Sequence, residues 1–308
     1  MSQASNESFY TDKSAIRASF DAAAQHYDAA AVLQREVADR MAERLDYIKL
    51  QPQAVLDAGC GTGYMGKLLQ QRYGSAQLIE LDLAPAMLQV ARGKHEAGGL
   101  KGLFSRLSGK RALQVCGDIE SLPLADESVD LIWSSLTLQW CNTPDAAFRE
   151  FNRVLRPGGL LMFSTLGPDT LKELRAAFAG VDGYSHVNQF IDMHDLGDAL
   201  SHCGFATPVM DMEMLVMTYA DVRGVMDDLK GIGAHNLTHG RRQGMMGKTA
   251  WQRVLAQYER FRNADGVLPC SYEVVYGHAW KPEARPAKVL ADGSQVIEFR
   301  PRPGTAGR

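Results

Sequence analysis

The sequence predicts an α/β fold, a doubly wound and mostly parallel sheet with helices on both faces. Two observations carry this. Between residues 54 and 166, short apolar runs bounded by breakers alternate with stretches of helical periodicity, the pattern of strand–helix units whose strands are buried on both faces. The first run, "AVLDAG", also opens directly onto "CGTGYMG", a glycine turn of the kind that joins a strand to a helix beside a nucleotide.

Each element follows from its pattern. Residues 12–46 read as a helical arm, because Ile16, Phe20, Ala23, Ala24 and Tyr27, then Val32, Val37, Met41 and Leu45, recur at helical spacing. Pro52 ends the arm. "AVLDAG" (54–59) is too short for a helix between its breakers and reads as a strand. Met65, Leu68 and Leu69 give the next helix one apolar face, and Gly74 stops it. "AQLIELD" (76–82) is a strand, and "APAMLQVARGK" (84–94) a helix with Pro85 in its first turn. "ALQVCGD" (112–118) and "VDLIWSS" (129–135) are strands. "TPDAAFREFNRVL" (143–155) is a helix stopped by "RPGG", and "LLMFSTL" (160–166) is the next strand. Beyond it, helices are expected in 168–179, 192–205, 219–230 and 247–262, and strands in "TPVMDMEMLVMTY" (207–219) and "CSYEVVYGHAW" (270–280). The tail after Lys281 holds four prolines, so a sheet extension at most, then disorder, is expected there.

Composition narrows the function classes. The chain has 308 residues, 45% hydrophobic and 22% charged, enough for a large core. A net charge of -3 and a pI near 6.2 give no global basic field for nucleic acid. The five cysteines are scattered and never in a CxxC spacing, which argues against a disulfide framework or a zinc site and for reduced thiols in a cytoplasmic protein. Cys60, inside the glycine turn, reads as packing. No secretory h-region and no membrane-spanning apolar run is visible.

Gly61-Thr-Gly-Tyr-Met-Gly66 satisfies the dinucleotide pattern GxGxxG, but Asp57 just before it would oppose a pyrophosphate. S-adenosylmethionine carries a sulfonium and an ammonium and no phosphate. An acid at the strand end suits it, and Gly59, Gly61 and Gly63 allow close backbone approach. Asp82, 25 residues after Asp57, is placed to accept from both ribose hydroxyls, which a nicotinamide dinucleotide would use too. Asp118 at the third strand end separates the two, accepting from the adenine amino group with Ile119 against the ring. Met87 and Ser134 complete the expected cofactor side, Ser134 from the strand-four end that faces the methionyl part.

Together these spacings resemble the class I S-adenosylmethionine-dependent methyltransferases over about 53–166. Four longer stretches resemble the malonyl-acyl-carrier-protein O-methyltransferases of biotin synthesis over about 14–281: "SFDAAAQHYDAAAVLQREVADRM" (19–41), "SSLTLQWCNTPDAAFREFNRVLRPGG" (134–159), "LKGIGAHNLTHGRRQG" (229–244) and "DGVLPCSYEVVYGHAW" (265–280). The resemblance implies a seven-stranded sheet. It divides the chain into a helical arm or lid (1–50), a methyltransferase domain (51–281) with insertions at 96–112 and 167–262, and a tail (282–308). It implies methylation of the free carboxylate of malonyl-acyl-carrier protein or malonyl-CoA, with no nucleic acid, membrane or metal involved. That carboxylate is already ionised, so no general base is expected.

Tyr27 and Gln34, seven apart, are expected on one face of a helix, Tyr27 as a hydrogen-bonding wall of the transfer pocket and Gln34 on the cofactor side. Gln139 and Trp140 should border the substrate channel, and Arg241 or Arg242 could pair with the acceptor carboxylate. Lys101, Arg106, Lys110 and Arg111 are expected to dock an acidic carrier protein. Three alternatives stay open: an arginine hydroxylase of respiratory-complex assembly, whose family shares a stretch like "RNADGVLPCSYEVVYGHAW"; a methyltransferase for another small acid; and a non-enzymic scaffold that keeps the pocket.

Overall fold

The computed structural model describes residues 10–96, 111–234, 236–242, 244 and 246–283. The insertion basics Lys101, Arg106 and Lys110, and the tail beyond 283, lie outside the described residues.

The strands are β1 (Ala54–Ala58), β2 (Gln77–Asp82), β3 (Leu113–Cys116), β4 (Val129–Ser135), β5 (Leu155–Leu166), β6 (Ala206–Tyr219) and β7 (Leu268–Trp280). They form one seven-stranded sheet in the order β3-β2-β1-β4-β5-β7-β6. The first five pair in parallel, and β7 pairs antiparallel with both β5 and β6. Helices α1 (Lys13–Ala23), α2 (Tyr27–Ala30), α3 (Val32–Arg44), α4 (Gly66–Arg72), α5 (Pro85–Glu96), α6 (Pro144–Val154), α7 (Lys172–Phe178), α8 (Met193–His202), α9 (Val222–Gly231) and α10 (Lys248–Glu259) surround it.

Alternation along the central strands fills two cores. Val55, Leu131, Leu160 and Met162 face one side, against Val37 and Met41 of α3, Leu69 of α4 and Tyr258 of α10. Their neighbours Leu56, Ile132, Leu161 and Phe163 face the other, against Phe148 and Phe151 of α6 and Leu196 of α8. Every residue of β1 is buried, as the unbroken apolar run anticipates for a central strand.

Three sequence expectations are corrected. The arm is three helices rather than one: α1 ends at Ala23 and α2 starts only after His26 at φ -114°, ψ -6°, and Ala31 then leaves helical geometry at φ -78°, ψ 45°. The breaks let Ala24, Phe20 and Tyr27 pack on Ala84 and Met87 while Val37 and Met41 reach the main core. Tyr27 and Gln34 therefore lie on separate helices. The segment "RPGG" does not simply stop α6: it runs inside β5, which starts at Leu155 with a register shift against β4. Helix α7 begins at Lys172 because Leu171 before it is left-handed, φ 56°.

The fit across β5 and β7 is close at Gly277, which pairs with Phe163. A Cβ there would lie 2.3 Å from Phe163 Cζ and 3.0 Å from Met210 Sδ, and Phe163 is fully buried. Gly277→Ala is expected to lower unfolding free energy by about 2 kcal/mol through overpacking, measured by urea denaturation.

Candidate active site

The strand order reverses between β1 and β4, and at the carboxyl ends of these strands a cavity opens, the crevice where doubly wound sheets bind ligands. The glycine turn forms one lip. Gly59 and Gly61 adopt φ values of 84° and 53°, which L side chains rarely adopt. The amides of Gly59 and Cys60 donate to Leu81 O at 2.8 and 2.9 Å, tying the turn to β2. A Cβ at Gly59 would meet Thr137 Oγ1 at 2.1 Å, so the turn lies directly against the loop after β4. Gly61 lines the cavity with nothing within 4 Å of an added Cβ. Gly63 faces elsewhere: its Cβ would meet Ala91 of α5 and Glu80, so it serves helix packing rather than the cavity.

Acids crowd beneath this turn. Asp82 at the end of β2 lines the cavity, and its two carboxylate oxygens accept from Gly61 N and Ala84 N, each at 2.8 Å. Burial outweighs these amides and pushes its pKa up to about 6. Asp57 is 3% exposed and its Oδ2 has no hydrogen-bond partner. Burial, then the charges of Glu80 and Asp82, hold its pKa well above the usual carboxylate range. Asp57 does not line the cavity; it sits in register with Glu80 on β2 and Trp133 on β4, under the turn. Cys60 is buried, and that burial pushes its thiol well up, consistent with packing.

Farther along the edge, Asp118, Ile119 and Met87 all line the cavity. Asp118 Oδ1 already accepts from Lys13 Nζ and Glu120 N, each at 3.0 Å. Ser134 is corrected. It is fully buried and its hydroxyl donates to Ala58 O at 2.9 Å, stitching β4 to β1. Its strand neighbour Ser135 takes the cavity position, a one-residue shift that exchanges faces.

The arm helices roof the cavity. Lys13, Ile16 and Phe20 of α1, Tyr27 of α2, and Leu33 and Gln34 of α3 line it. The roof is clasped by polar contacts: Lys13 to Asp118 and Glu120, Thr11 N to Asn142 Oδ1 at 2.7 Å, and Lys94 Nζ to Asp28 Oδ2 at 2.6 Å. Phe20 meets the Trp140 ring edge-on at 5.3 Å. Gln34 Oε1 is buried without a partner.

Gln139 and Trp140 line the cavity; Gln139 Nε2 donates to Leu136 O at 2.7 Å. The opposite wall comes from Leu171, Val187, Phe190, Ile232 and Tyr272, with His186, Asn188 and Asn236 as polar members. Asn188 Oδ1 is a further buried oxygen without a partner. Sequence reading missed Lys13, Phe20, His186 and Asn188. Helical spacing placed Phe20 on the arm, but nothing local signals the others. Leu136, left-handed at φ 49°, turns the chain after β4 so that Leu136 and Thr137 reach the cavity.

Arg241 and Arg242 are corrected: neither lines this cavity. The Arg241 guanidinium donates to Leu237 O and Thr238 O of its own loop, and Arg242 pairs with Asp182 at 3.1 Å. Arg111 is exposed, and its carbonyl accepts from Gln77 Nε2 at 2.6 Å. Among the described residues, no group of three or more His, Cys, Asp or Glu side chains could hold a metal ion. No helix there is long and apolar enough to cross a membrane.

Residues 56–163 match the family described as Methyltransferase domain. The malonyl-[acyl-carrier protein] O-methyltransferase of Laribacter hongkongensis is 64% identical, over 96% of this chain and 98% of its own length. The chain belongs to the malonyl-[acyl-carrier protein] O-methyltransferase family. A second member of the family, from Gallionella capsiferriformans, is 58% identical over 94% of this chain and 97% of its own. At the level of fold alone, the YcgJ protein of Bacillus subtilis aligns with a TM-score of 0.54 at 15% identity, over 79% of this chain and 98% of that one. In this member of the family the matched segment 56–163 carries the glycine turn, Asp82 and Asp118. The roof and the far wall lie outside it.

The raised pKa of Asp82 makes stability depend on pH. Between the ordinary value of 3.8 and about 6, the folded chain holds a proton here that the unfolded chain has lost, so this contribution falls as pH rises through that window. Asp82→Asn is expected to flatten the pH 4–6 part of the profile, read from urea unfolding of both proteins across that range.

Proposed function

We propose that this chain transfers the methyl group of S-adenosylmethionine to the free carboxylate of a malonyl thioester, malonyl-acyl-carrier protein or malonyl-CoA. The product is the methyl ester, an early intermediate of biotin (pimeloyl) synthesis, made in the cytoplasm, a setting that fits five unpaired cysteines. The observation that carries the reading is the division of charge in the cavity. Among the described residues, the carboxylates that line it, Asp82 and Asp118, belong to the half that runs from the glycine turn along the strand ends, while the far wall offers amides, an imidazole and apolar surface. The first half suits a cation, and an anion meets no carboxylate in the second.

The residues fit the cofactor. Buried Asp57 and Glu80 stand with Asp82 at one corner, where burial and the neighbouring acids disfavour ionisation of Asp57; a sulfonium and an ammonium relieve this and a pyrophosphate would worsen it. Asp82 would hold the ribose hydroxyls, Asp118 and Ile119 the adenine edge and ring, and Gly59 and Gly61 the close backbone approach. Met87 and Gln34 complete that side, with Asp57 acting from below. When bound, the sulfonium supplies an electrophilic methyl group.

The chain's own residues then align the acceptor and exclude water. A malonyl carboxylate is ionised at neutral pH, so no side chain needs to remove a proton. Burial, and the charges of Asp82 and Asp28, raise the pKa of the Tyr27 hydroxyl, which keeps it protonated and able to donate to a carboxylate oxygen. Asn188 and Gln139 bring amides to the same space, and Trp140 with Phe20 closes the roof against water. Orienting oxygen, methyl and sulfur in line supplies much of the acceleration in such a transfer. Identity across nearly the whole chain to relatives named malonyl-[acyl-carrier protein] O-methyltransferase favours this reading over arginine hydroxylation.

The direct test incubates the purified chain with malonyl-acyl-carrier protein and S-adenosylmethionine and reads the carrier by mass spectrometry. A gain of one CH₂, removed by esterase treatment, is expected; an unchanged carrier together with unchanged malonyl-CoA refutes the proposal. Tyr27→Phe is expected to lower kcat/KM about tenfold through loss of one hydrogen bond to the acceptor, with cofactor affinity held. Binding of S-adenosylmethionine near pH 6 is expected to release protons as Asp82 ionises, since its pKa is about 6 in the free protein. Titration calorimetry in buffers of different ionisation enthalpy measures this, and Asp82→Asn should abolish the release.

A further inference from the structure

A second, shallower pocket lies on the other side of α9. Helix α9 turns Leu229 toward the main cavity, together with Ile232 just beyond its end. Arg223, Met226, Asp227 and Lys230 recur one helical turn apart and line the second pocket. Arg242 lines it from the neighbouring loop, and Phe178, Met246 and Trp251 give it apolar walls. His186 lines both spaces. Its ring stacks on Phe178 at 4.0 Å and 11°, and its Nε2 meets Asp182 Oδ1 at 2.7 Å. Asp182 also receives Arg242, so His186 is held at the junction between a cationic surface pocket and the acceptor half of the cavity.

Among the described residues the lining carries Arg223, Lys230 and Arg242 against Asp227, with Arg242 answered by Asp182. Arg223 and Lys230 are exposed. An acceptor presented by a carrier protein arrives on a pantetheine arm, with a phosphodiester at one end and the thioester at the other. Its phosphate is an anion that arginine and lysine recognise, and its methyl-bearing carbons match aromatic and thioether walls.

Resting on the functional reading above, we propose that this pocket receives the phosphate of the carrier-linked pantetheine arm, with the thioester end passing His186 into the cavity. The phosphate outside α9 and the malonyl group inside it set how deep the acceptor reaches.

The test compares malonyl-carrier protein with malonyl-N-acetylcysteamine, a thioester that lacks the phosphate, on wild-type chain and on Arg223→Glu/Lys230→Glu. The ratio of kcat/KM between carrier-linked and phosphate-free substrate is expected to fall about tenfold in the double variant, through KM rather than kcat. The milder Lys230→Ala should move it in the same direction, which guards against misfolding of the double variant. Wild-type activity with an unchanged ratio overturns the assignment alone. A wild-type chain inactive on both substrates sinks the functional reading and the assignment with it. Malonyl-CoA is the third substrate: a larger loss on it than on the carrier assigns the pocket to the nucleotide end of CoA and overturns the proposal.

Discussion

The site depends on one electrostatic constraint, the burial of carboxylates at the corner where β1 and β2 meet the glycine turn. Asp57 and Glu80 lie side by side in parallel register, and Asp82 follows two residues later on β2. Glu80 is relieved by His95 Nε2 and Gln114 Nε2, each at 2.8 Å, and Asp82 by two backbone amides. Asp57 keeps one oxygen without a partner. A buried, unsatisfied carboxylate costs folding free energy, and natural sites tolerate such costs where binding recovers them. The corner thus selects the sign of its ligand before any detail of shape enters.

That constraint explains the division of labour in the rest of the cavity. Among the described residues, carboxylates are confined to the cofactor half, and Lys13 on the lining is answered by Asp118 and Glu120. The far wall carries amides and an imidazole, which can accommodate an acceptor anion without a permanent opposing charge. Helix α9 forms a partition, with an apolar side toward the cavity and a charged side toward solvent.

Much of this was legible in the sequence, for identifiable reasons. Parallel strands buried on both faces write themselves as short apolar runs, and acids at strand ends stand next to breakers, so Asp57, Asp82 and Asp118 could be placed before any coordinates. Periodicity could not show that the arm breaks at Ala31, because alanine suits a helix and the break answers to tertiary packing on Ala84 and Met87. Ser134 gives up the expected cavity position to Ser135 because side chains alternate faces along a strand, and the sequence alone does not phase that alternation against the cavity. Arg241 and Arg242 attracted a substrate role through charge alone; their loop carbonyls and Asp182 had already claimed them. His186 and Asn188 come from a stretch with no periodic signal, and only the fold brings them to the cavity.

The antiparallel seventh strand has a separate bearing on how the protein can be handled. Its carboxyl end pairs with the start of β5, where Lys281 N donates to Gly159 O and Gly158 N to Lys281 O, both at 2.9 Å. The backbone therefore leaves the sheet at the rim remote from the crevice. Tethering the molecule to a solid support through that end would orient its mouth toward the bulk solution, leaving incoming reactants an unobstructed approach.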